Sequence, residues 1–263
     1  MVVQKHPLSQ PFVIFCAIVS IAVSIGIWHF LVAFNVQRPL MFGNLPAPAD
    51  VLQAGIALLQ NSEYYRHVGY SCLRILVGCA LALPLGVFFG LVIGLSRPGR
   101  LFLLPIFELM RPIPQITWIP VSILLFPTIE GSIVFITFMG GFFPILVNTI
   151  AGTQNVEPSL VDAARSMHVT KCQLVRYVYL PSAVPDILTG LTIGIGTSWM
   201  SVIAAEMISG KYGIGYFTWQ SYNLMNYADT IVGMITIGVV GIVFFSVIRM
   251  VSGRILAYRG IVQ

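Results

Sequence analysis

The residues of this sequence that could do chemistry are few, because only 9% of its 263 residues are charged. Arg111 is the clearest candidate, since it stands beside Pro112, Pro114 and Pro120 in a run that no regular helix tolerates. An arginine within a bilayer costs about 2.5 to 3.5 kcal/mol on insertion scales and attracts anions. We therefore expect Arg111 to face a path for an anion. The alternatives are an ion pair with Glu108 or a side chain that extends to the membrane surface.

A second polar group, Thr197, Ser198 and Trp199, lies in the middle of an apolar run. Two hydroxyls beside an indole could line part of a polar path, although hydrogen bonds between helices are the commoner use of such residues. The end of the same run is rich in aromatic residues, which is typical of a membrane interface. The residues Glu206, Lys211 and Tyr212 lie at this end.

Motifs for catalysis and for metal binding are absent from the sequence. It has no GxxxxGK[ST] loop to hold ATP phosphates, and no HExxH or GxSxG motif. Its four cysteines show neither CxxC nor Cys/His metal spacing. We therefore expect no catalytic residue, no metal and no cofactor in this chain. Any ATP and magnesium would be bound by another polypeptide.

The composition is that of an integral membrane protein. Hydrophobic residues make up 57% of the chain and the mean hydropathy is +0.90, whereas soluble domains are about a quarter charged. The net charge of +5 does not indicate nucleic acid, because the basic residues are scattered singly. Uncharged runs of about 20 residues predict an all-α, polytopic fold with one domain over 1–263 and six spans. These cover 12–34, 75–96, 112–129, 131–156, 187–205 and 230–248.

The distribution of Lys and Arg predicts the orientation in the membrane. Nine basic residues fall on the side of the N-terminus, namely Lys5, Arg97, Arg100, Arg165, Lys171, Arg176, Arg249, Arg254 and Arg259. Three fall on the other side, namely Arg38, Arg66 and Lys211. Because cytoplasmic loops carry the excess of positive charge, both termini are expected in the cytoplasm.

A repeated glycine spacing in the second span indicates close helix packing. Gly86, Gly90 and Gly94 form a doubled GxxxG, which lets a neighbouring helix approach closely. The neighbour is either another helix of the same subunit or the same helix of a second copy.

The charged loop at 157–185 separates two uncharged runs, so it must lie in water. Pro158 can start a first short helix, and Thr170 with Gln173 can form a capping box for a second one. Leu180 and Pro181 are expected to end that second helix. Such an amphipathic helical elbow is either a surface for a soluble partner or a helix that rests on lipid headgroups.

The elbow resembles the cytoplasmic EAA loop of permease subunits of binding-protein-dependent ABC importers. The resemblance places Asp162 at the acidic position, Ala163 and Ala164 at the two alanines, Val178 at the aliphatic position, and Leu180 and Pro181 at the end. His168 stands where the family has glycine at the bend. Either this bend needs no positive φ or His168 is strained.

Three further runs resemble the nitrate, sulfonate, bicarbonate and taurine branch of that family. They are LPAPADVL at 45–52, RPIPQITWIP at 111–120 and AAEMISGKYGIGYF at 204–217. The resemblance, which covers roughly 45–250, implies that the elbow is a coupling helix that docks on an ATPase. It also implies a homodimer in a bacterial inner membrane, with two ATP-binding ATPase chains and an extracytoplasmic substrate-binding protein. By the resemblance, Glu206, Lys211 and Tyr212 are the candidate contacts for that binding protein.

The function implied by the resemblance is ATP-driven import of a small anion by alternating access. The alternatives are a secondary transporter or channel driven by an ion gradient, and a structural membrane scaffold. A gradient-driven transporter would call for inverted repeats or acidic residues within the spans, and neither is evident in the sequence.

Overall fold

The computed structural model describes residues 10–36 and 41–258. Within these ranges the regular structure is helical, and we number its α-helices in chain order. They are α1 (Gln10–Ala33), α2 (Pro48–Leu59), α3 (Ser62–Leu95), α4 (Arg97–Met110), α5 (Ile119–Leu125), α6 (Ile129–Gln154), α7 (Pro158–Ser166), α8 (Lys171–Leu174), α9 (Leu180–Ser209), α10 (Ile214–Asn223) and α11 (Tyr227–Tyr258).

Five helical segments of the described residues are long and apolar enough to cross a membrane. They are Phe12–Ala33, Ser62–Leu95, Ile129–Gln154, Lys171–Ser209 and Tyr227–Ala257. An all-helical, polytopic membrane protein is thus confirmed, whereas six continuous spans are not. The run 112–129, which is predicted as a span, is not one continuous helix, because the chain there is broken into short pieces, as its prolines predict.

The prolines of this segment explain the break. α4 ends at Met110, a 3₁₀ turn follows at Gln115–Trp118, and Pro120 occupies the first turn of the seven-residue helix α5. A proline has no N–H to donate, and its ring clashes with the carbonyl one turn earlier, so three prolines in nine residues interrupt the helix. Hydropathy detects the apolar run but not this interruption.

Helices α3 and α6 lie side by side in the same direction. Along α3, Gly78, Gly86, Gly90 and Gly94 lie in turn against Thr137, Ile145, Thr149 and Thr153 of α6. A Cβ added at Gly90 would be 2.5 Å from the Cβ of Thr149, so glycine is what permits the approach. The glycine spacing therefore serves packing within one subunit. Because the two helices are parallel, the segment 96–128 must return the chain to the start of α6.

Helix α9 packs antiparallel on another face of α6. Gly152 lies against Asp186 near the start of α9, while Gly141 lies against Ser198 further along. The apolar core between these helices is fully buried, with Ile133 and Val202 both 0% exposed. α11 packs over α9, where the Trp199 ring lies 5.8 Å from that of Phe244. α3, α6 and α9 therefore form the centre of the molecule.

The sequence predicts that the second helix of the elbow ends at Leu180 and Pro181. In the structure the helix continues past these residues. α8 continues through a wide turn at Val175–Tyr179 into α9, so one helical segment extends over Lys171–Ser209. In the wide turn the Leu180 N–H donates to the Val175 carbonyl, five residues earlier. This π-type turn shifts the hydrogen-bond register, and Pro181 then lies in the first turn of α9, where no N–H is required.

Candidate functional site

The elbow begins with α7, whose first residue is Pro158, as predicted. Val161 and Ala164 are buried, whereas Asp162 and Ala163 are exposed. The two alanines of the motif therefore face different ways. Ala164 packs toward the protein, while Ala163 is accessible to a partner.

The bend between α7 and α8 is formed by His168, whose φ is +55°. The bend therefore does need a positive φ, which costs an L-residue roughly 1–2 kcal/mol. Histidine is among the residues that adopt this region more often than most. After the bend, the Gln173 side chain accepts from the Thr170 N–H at 2.8 Å, and the Gln173 N–H donates to the Thr170 hydroxyl at 3.3 Å. The predicted capping box is thus present.

Exposed apolar side chains lie among the charges of the elbow. Leu160, Ala163 and Met167 share one face of α7, and we call this face the elbow stripe. Leu160 is 51% exposed and Met167 is 73% exposed. Val178, Leu180 and Pro181 are half-buried where the elbow joins α9. Such exposed apolar groups on a charged segment are suited to contact with a partner protein or with the membrane surface.

At the end of α9 remote from the elbow, three helices meet in a charge network with a buried centre, which we define as Ser71, Arg74, Glu130 and Glu206. The Arg74 side chain is 2% exposed and that of Glu206 is 0% exposed. Arg74 donates to Glu206 at 2.8 Å and to the two oxygens of Glu130 at 2.6 and 2.9 Å. The Ser71 hydroxyl lies 2.8 Å from each Glu206 oxygen. Every charge in the network is therefore paired, as burial requires.

The same network holds the turn that follows α9. Arg74 donates to the Tyr212 carbonyl at 2.6 Å. The Gly215 N–H donates to Glu206 at 3.0 Å, and the Ile214 N–H donates to Ser71 at 2.9 Å. Beside the network, the Gly213 N–H donates to His67 Nδ1 at 3.1 Å. Gly213 has a φ of +123° and packs directly against the Glu206 carboxylate. A side chain at this position would be both strained and obstructed.

This network is the functional feature that the sequence does not reveal. Glu206 is expected at the surface as a partner contact, and that expectation is wrong because the residue is completely buried. The available signal is the position of Arg74 and Glu130 at the edges of apolar runs, where charges require partners. Spacing in the chain does not say which charges pair.

A cleft of about 680 Å³ opens beside the network, and we call it the far-end cleft. His67 and Tyr212 line it. His67 accepts a hydrogen bond from the turn after α9, and Tyr212 belongs to that turn. Lys211 lies at this cleft too, so two of the three predicted contact residues are brought together there. Its other lining groups include the carboxylates of Glu63 and Asp229.

The polar group of α9 is used mainly for packing. Thr197 donates to the Gly140 carbonyl at 2.6 Å, and Ser198 donates to the Thr137 carbonyl at 2.8 Å. Trp199 is 6% exposed and packs toward α11. Of the three predicted path residues in α9, only Thr197 is accessible enough to border a path.

One strip of α9 is left uncovered. It consists of Thr189, Ile193, Met200 and Ile208, which recur at helical spacing and are all exposed. Met200 is 74% exposed although it stands in the most central helix pair. We call this set the α9 strip. Thr197 lies beside it.

Arg111 lies apart from these residues, in a narrow cleft of about 200 Å³ between α4 and α6. Glu108 and Gln154 line the same cleft, but among the described residues Arg111 has no ion pair within 4.0 Å. The predicted alternative of an Arg111–Glu108 pair is therefore not seen. Because the cleft lies on a different face of α6 from α9, Arg111 and Thr197 are not in one cluster.

Comparison with known proteins places these features in a family. The family described as "binding-protein-dependent transport system inner membrane component" matches residues 82–259, which include α6, the elbow and α9. The chain belongs to this family. It is thus the permease subunit of an ABC importer, a multi-pass component of the inner membrane, and ATP is hydrolysed by a separate chain.

The similarity to individual permeases extends over most of the chain. The nitrate import permease protein NrtB of Synechocystis sp. is 34% identical over 251 residues, covering 91% of this chain and 89% of that protein. The taurine transport system permease protein TauC of Escherichia coli is 29% identical over 264 residues, covering 98% and 94%. The bicarbonate transport system permease protein CmpB of Synechococcus elongatus is 35% identical over 173 residues, covering 65% and 62%.

A solved structure shares the fold. An inward-facing structure of the MetNI methionine ABC transporter matches with a TM-score of 0.55 and 22% identity. It covers 79% of this chain and 98% of the matched chain. The described residues contain no group of three or more His, Cys, Asp and Glu side chains that could hold a metal.

Proposed function

We propose that this ABC importer permease moves a small anion into the cytoplasm. Two copies of the permease each bind an ATPase at the elbow, and ATP hydrolysis there drives transport. The elbow stripe is the observation that supports this coupling role. Leu160, Ala163 and Met167 offer an apolar face to a soluble partner, while the buried Val161 and Ala164 hold the adjacent face of α7 against the protein. An exposed amphipathic helix is well suited to a groove on another protein.

The rest of the elbow motif fixes the angle at which this face is presented. His168 sets the bend, and the half-buried residues Val178, Leu180 and Pro181 join the elbow to α9 without a break. Asp162 pairs with Arg165 across 3.8 Å on the exposed side. Movement of the elbow is therefore passed directly to α9.

The substrate class follows from the relatives. Nitrate and bicarbonate are small anions, and taurine carries an anionic sulfonate, so we propose a substrate with a compact anionic group. Arg111 is the proposed attraction for this anion, since it is unpaired among the described residues and adjoins the broken segment after α4. Broken helices at membrane depth are found where they line a cavity or are buried in protein.

The proposed topology has six crossings, with both termini in the cytoplasm. The parallel direction of α3 and α6 requires the segment 96–128 to cross once more, in pieces. Of the twelve charges counted for the orientation, Lys5, Arg38 and Arg259 lie outside the described residues. The described ones still favour it, with seven at the elbow end (Arg97, Arg100, Arg165, Lys171, Arg176, Arg249, Arg254) and two at the other end (Arg66, Lys211).

The α9 strip supports a path between two copies. Its exposed side chains stand in a helix whose other faces are buried, and Thr197 is the only proposed polar group beside it. A second permease facing this strip would enclose the path and cover Met200. At the outer side, the far-end cleft with Lys211 and Tyr212 is the proposed contact for the substrate-binding protein.

Transport by the reconstituted complex tests the proposal. The permease, its ATPase and its binding protein are placed in proteoliposomes, and uptake of labelled nitrate, taurine and bicarbonate is measured with and without ATP. We expect ATP-dependent uptake of at least one of these anions. Uptake that follows an ion gradient without ATP would refute the proposal.

A further inference from the structure

The charge network connects the far-end cleft to α9. Arg74 touches Glu206 near the end of α9 and also the Tyr212 carbonyl in the turn that lines the cleft. Glu206 in turn accepts from the Gly215 N–H at the start of α10. The turn after α9 is therefore held by buried charged groups and is not a free loop. A side chain that pushes on the cleft floor would push on Arg74.

The helices on which the network stands have little freedom to slide. Gly78 and Gly90 bring α3 into backbone contact with α6, and Gly194 lies against the backbone of Gly141 where α9 meets α6. A Cβ at Gly194 would be 2.9 Å from the Gly141 carbonyl oxygen. Such close packing has few alternative arrangements, because interiors resist deformation. These three helices therefore behave as one body.

The other end of this body is the elbow. The helical segment over Lys171–Ser209 has 39 residues, which at 1.5 Å per residue corresponds to about 58 Å. It is continuous through the wide turn at Val175–Tyr179, so α8 joins α9 without a break. One end of the segment carries Glu206, and the other is joined through the bend at His168 to α7, whose elbow stripe is the proposed ATPase contact.

We propose that Arg74 and Glu206 are positioning residues that lock the floor of the far-end cleft to α9. Docking of the binding protein at the cleft and docking of the ATPase at the elbow then act on the same rigid body. This inference rests on the proposed function, because it takes the cleft and the elbow as the two partner surfaces. It adds the residues that connect them, Arg74 and Glu206, both of which are buried.

The two acidic partners of Arg74 have different roles in this arrangement. Glu206 is 0% exposed and is also bound by Ser71 and Gly215, so it fixes Arg74 and the turn together. Glu130 is 53% exposed, and its hydrogen bonds among the described residues come from Arg74. Glu130 therefore balances the charge of Arg74 from the solvent side, and replacing it should affect the lock less than replacing Glu206.

The first test measures the lock in the permease alone, by hydrogen exchange of backbone amides in detergent micelles. The variant Arg74→Met/Glu206→Gln removes both charges, so it leaves no unpaired charge buried in the core. We expect exchange in peptides covering 210–216 to rise at least tenfold, with 190–205 unchanged. Arg249→Met, at an exposed arginine of α11, is the control and should change neither region. Unchanged protection of 210–216 in the double variant would overturn the proposal.

The second test measures signal transmission in the assembled transporter. ATP hydrolysis is recorded with and without the loaded binding protein, for the wild type, the double variant, Arg74→Lys and Arg249→Met. We expect basal hydrolysis by the double variant to stay within twofold of the wild type, and its stimulation by the binding protein to fall at least fivefold. Arg74→Lys, which keeps the positive charge, should retain part of the stimulation. A purely structural role would lower both activities together, and that result would overturn the proposal, as would full stimulation of the double variant. A wild-type complex that hydrolyses no ATP would instead refute the proposed function, which separates the two failures.

Discussion

The glycine contacts between α3 and α6 make a quantitative prediction about stability. Gly90→Ala and Gly69→Ala are the same chemical change on the same helix in different surroundings. A Cβ at Gly90 would lie 2.5 Å from the Thr149 Cβ and 3.1 Å from the Leu146 carbonyl oxygen, whereas nothing lies within 4 Å of one at Gly69. Replacing a helical glycine with alanine gains roughly 0.5–1 kcal/mol in both cases. This gain cancels in the difference, which leaves overpacking, typically about 1–3 kcal/mol.

Thermal unfolding of the two variants in the same detergent measures this difference. For a chain of this size about 1 kcal/mol shifts Tm by roughly 2–4 °C. Gly90→Ala is therefore expected to unfold roughly 2–12 °C below Gly69→Ala. Equal melting temperatures would refute the reasoning, because they would show that α3 and α6 can separate at no cost and that the glycines do not set the contact.

Three further predictions concern the network and the elbow. Arg74→Met alone leaves Glu206 buried without its cation and should lower the free energy of unfolding by about 3–5 kcal/mol. Adding Glu206→Gln should recover most of this loss. Denaturant titration compares the two variants, and equal losses of stability would contradict the pairing. His168→Gly should leave the elbow at least as resistant to protease as the wild type, whereas His168→Val should speed cleavage near the bend, because a β-branched residue is strongly disfavoured at positive φ. Cys172 is exposed and should be labelled by an impermeant maleimide only from the cytoplasmic side; labelling from outside would reverse the proposed topology.

The elbow is the part of the fold that the sequence predicts best, because its helix ends are determined by interactions between residues close together in the chain. Pro158 starts α7, and Thr170 and Gln173 lie close enough in the chain to form their capping box in any context. The predicted stop at Pro181 is wrong because a π-type turn changes the register just before the proline. Such a turn has no sequence signature that single residues reveal.

The network and the broken span depend on contacts between distant parts of the chain. Arg74 is 56 positions from Glu130 and 132 from Glu206, and no periodicity connects residues so far apart. Arg111 illustrates the same limit, since its prolines indicate a break but not the face of α6 beside which it lies. Hydropathy finds buried segments, while the partners within them follow only from packing.

The central claim, that the elbow binds the ATPase, is tested most directly by the amount of ATPase recovered with tagged permease from native membranes. Leu160→Glu places a charge on the elbow stripe, and Leu224→Glu makes the same change at an exposed leucine, 72% accessible, at the other end of the molecule. We predict one ATPase per permease for the wild type and for Leu224→Glu, and at least a tenfold loss for Leu160→Glu. Recovery of no ATPase with the wild type, or equal recovery with all three proteins, would contradict the account.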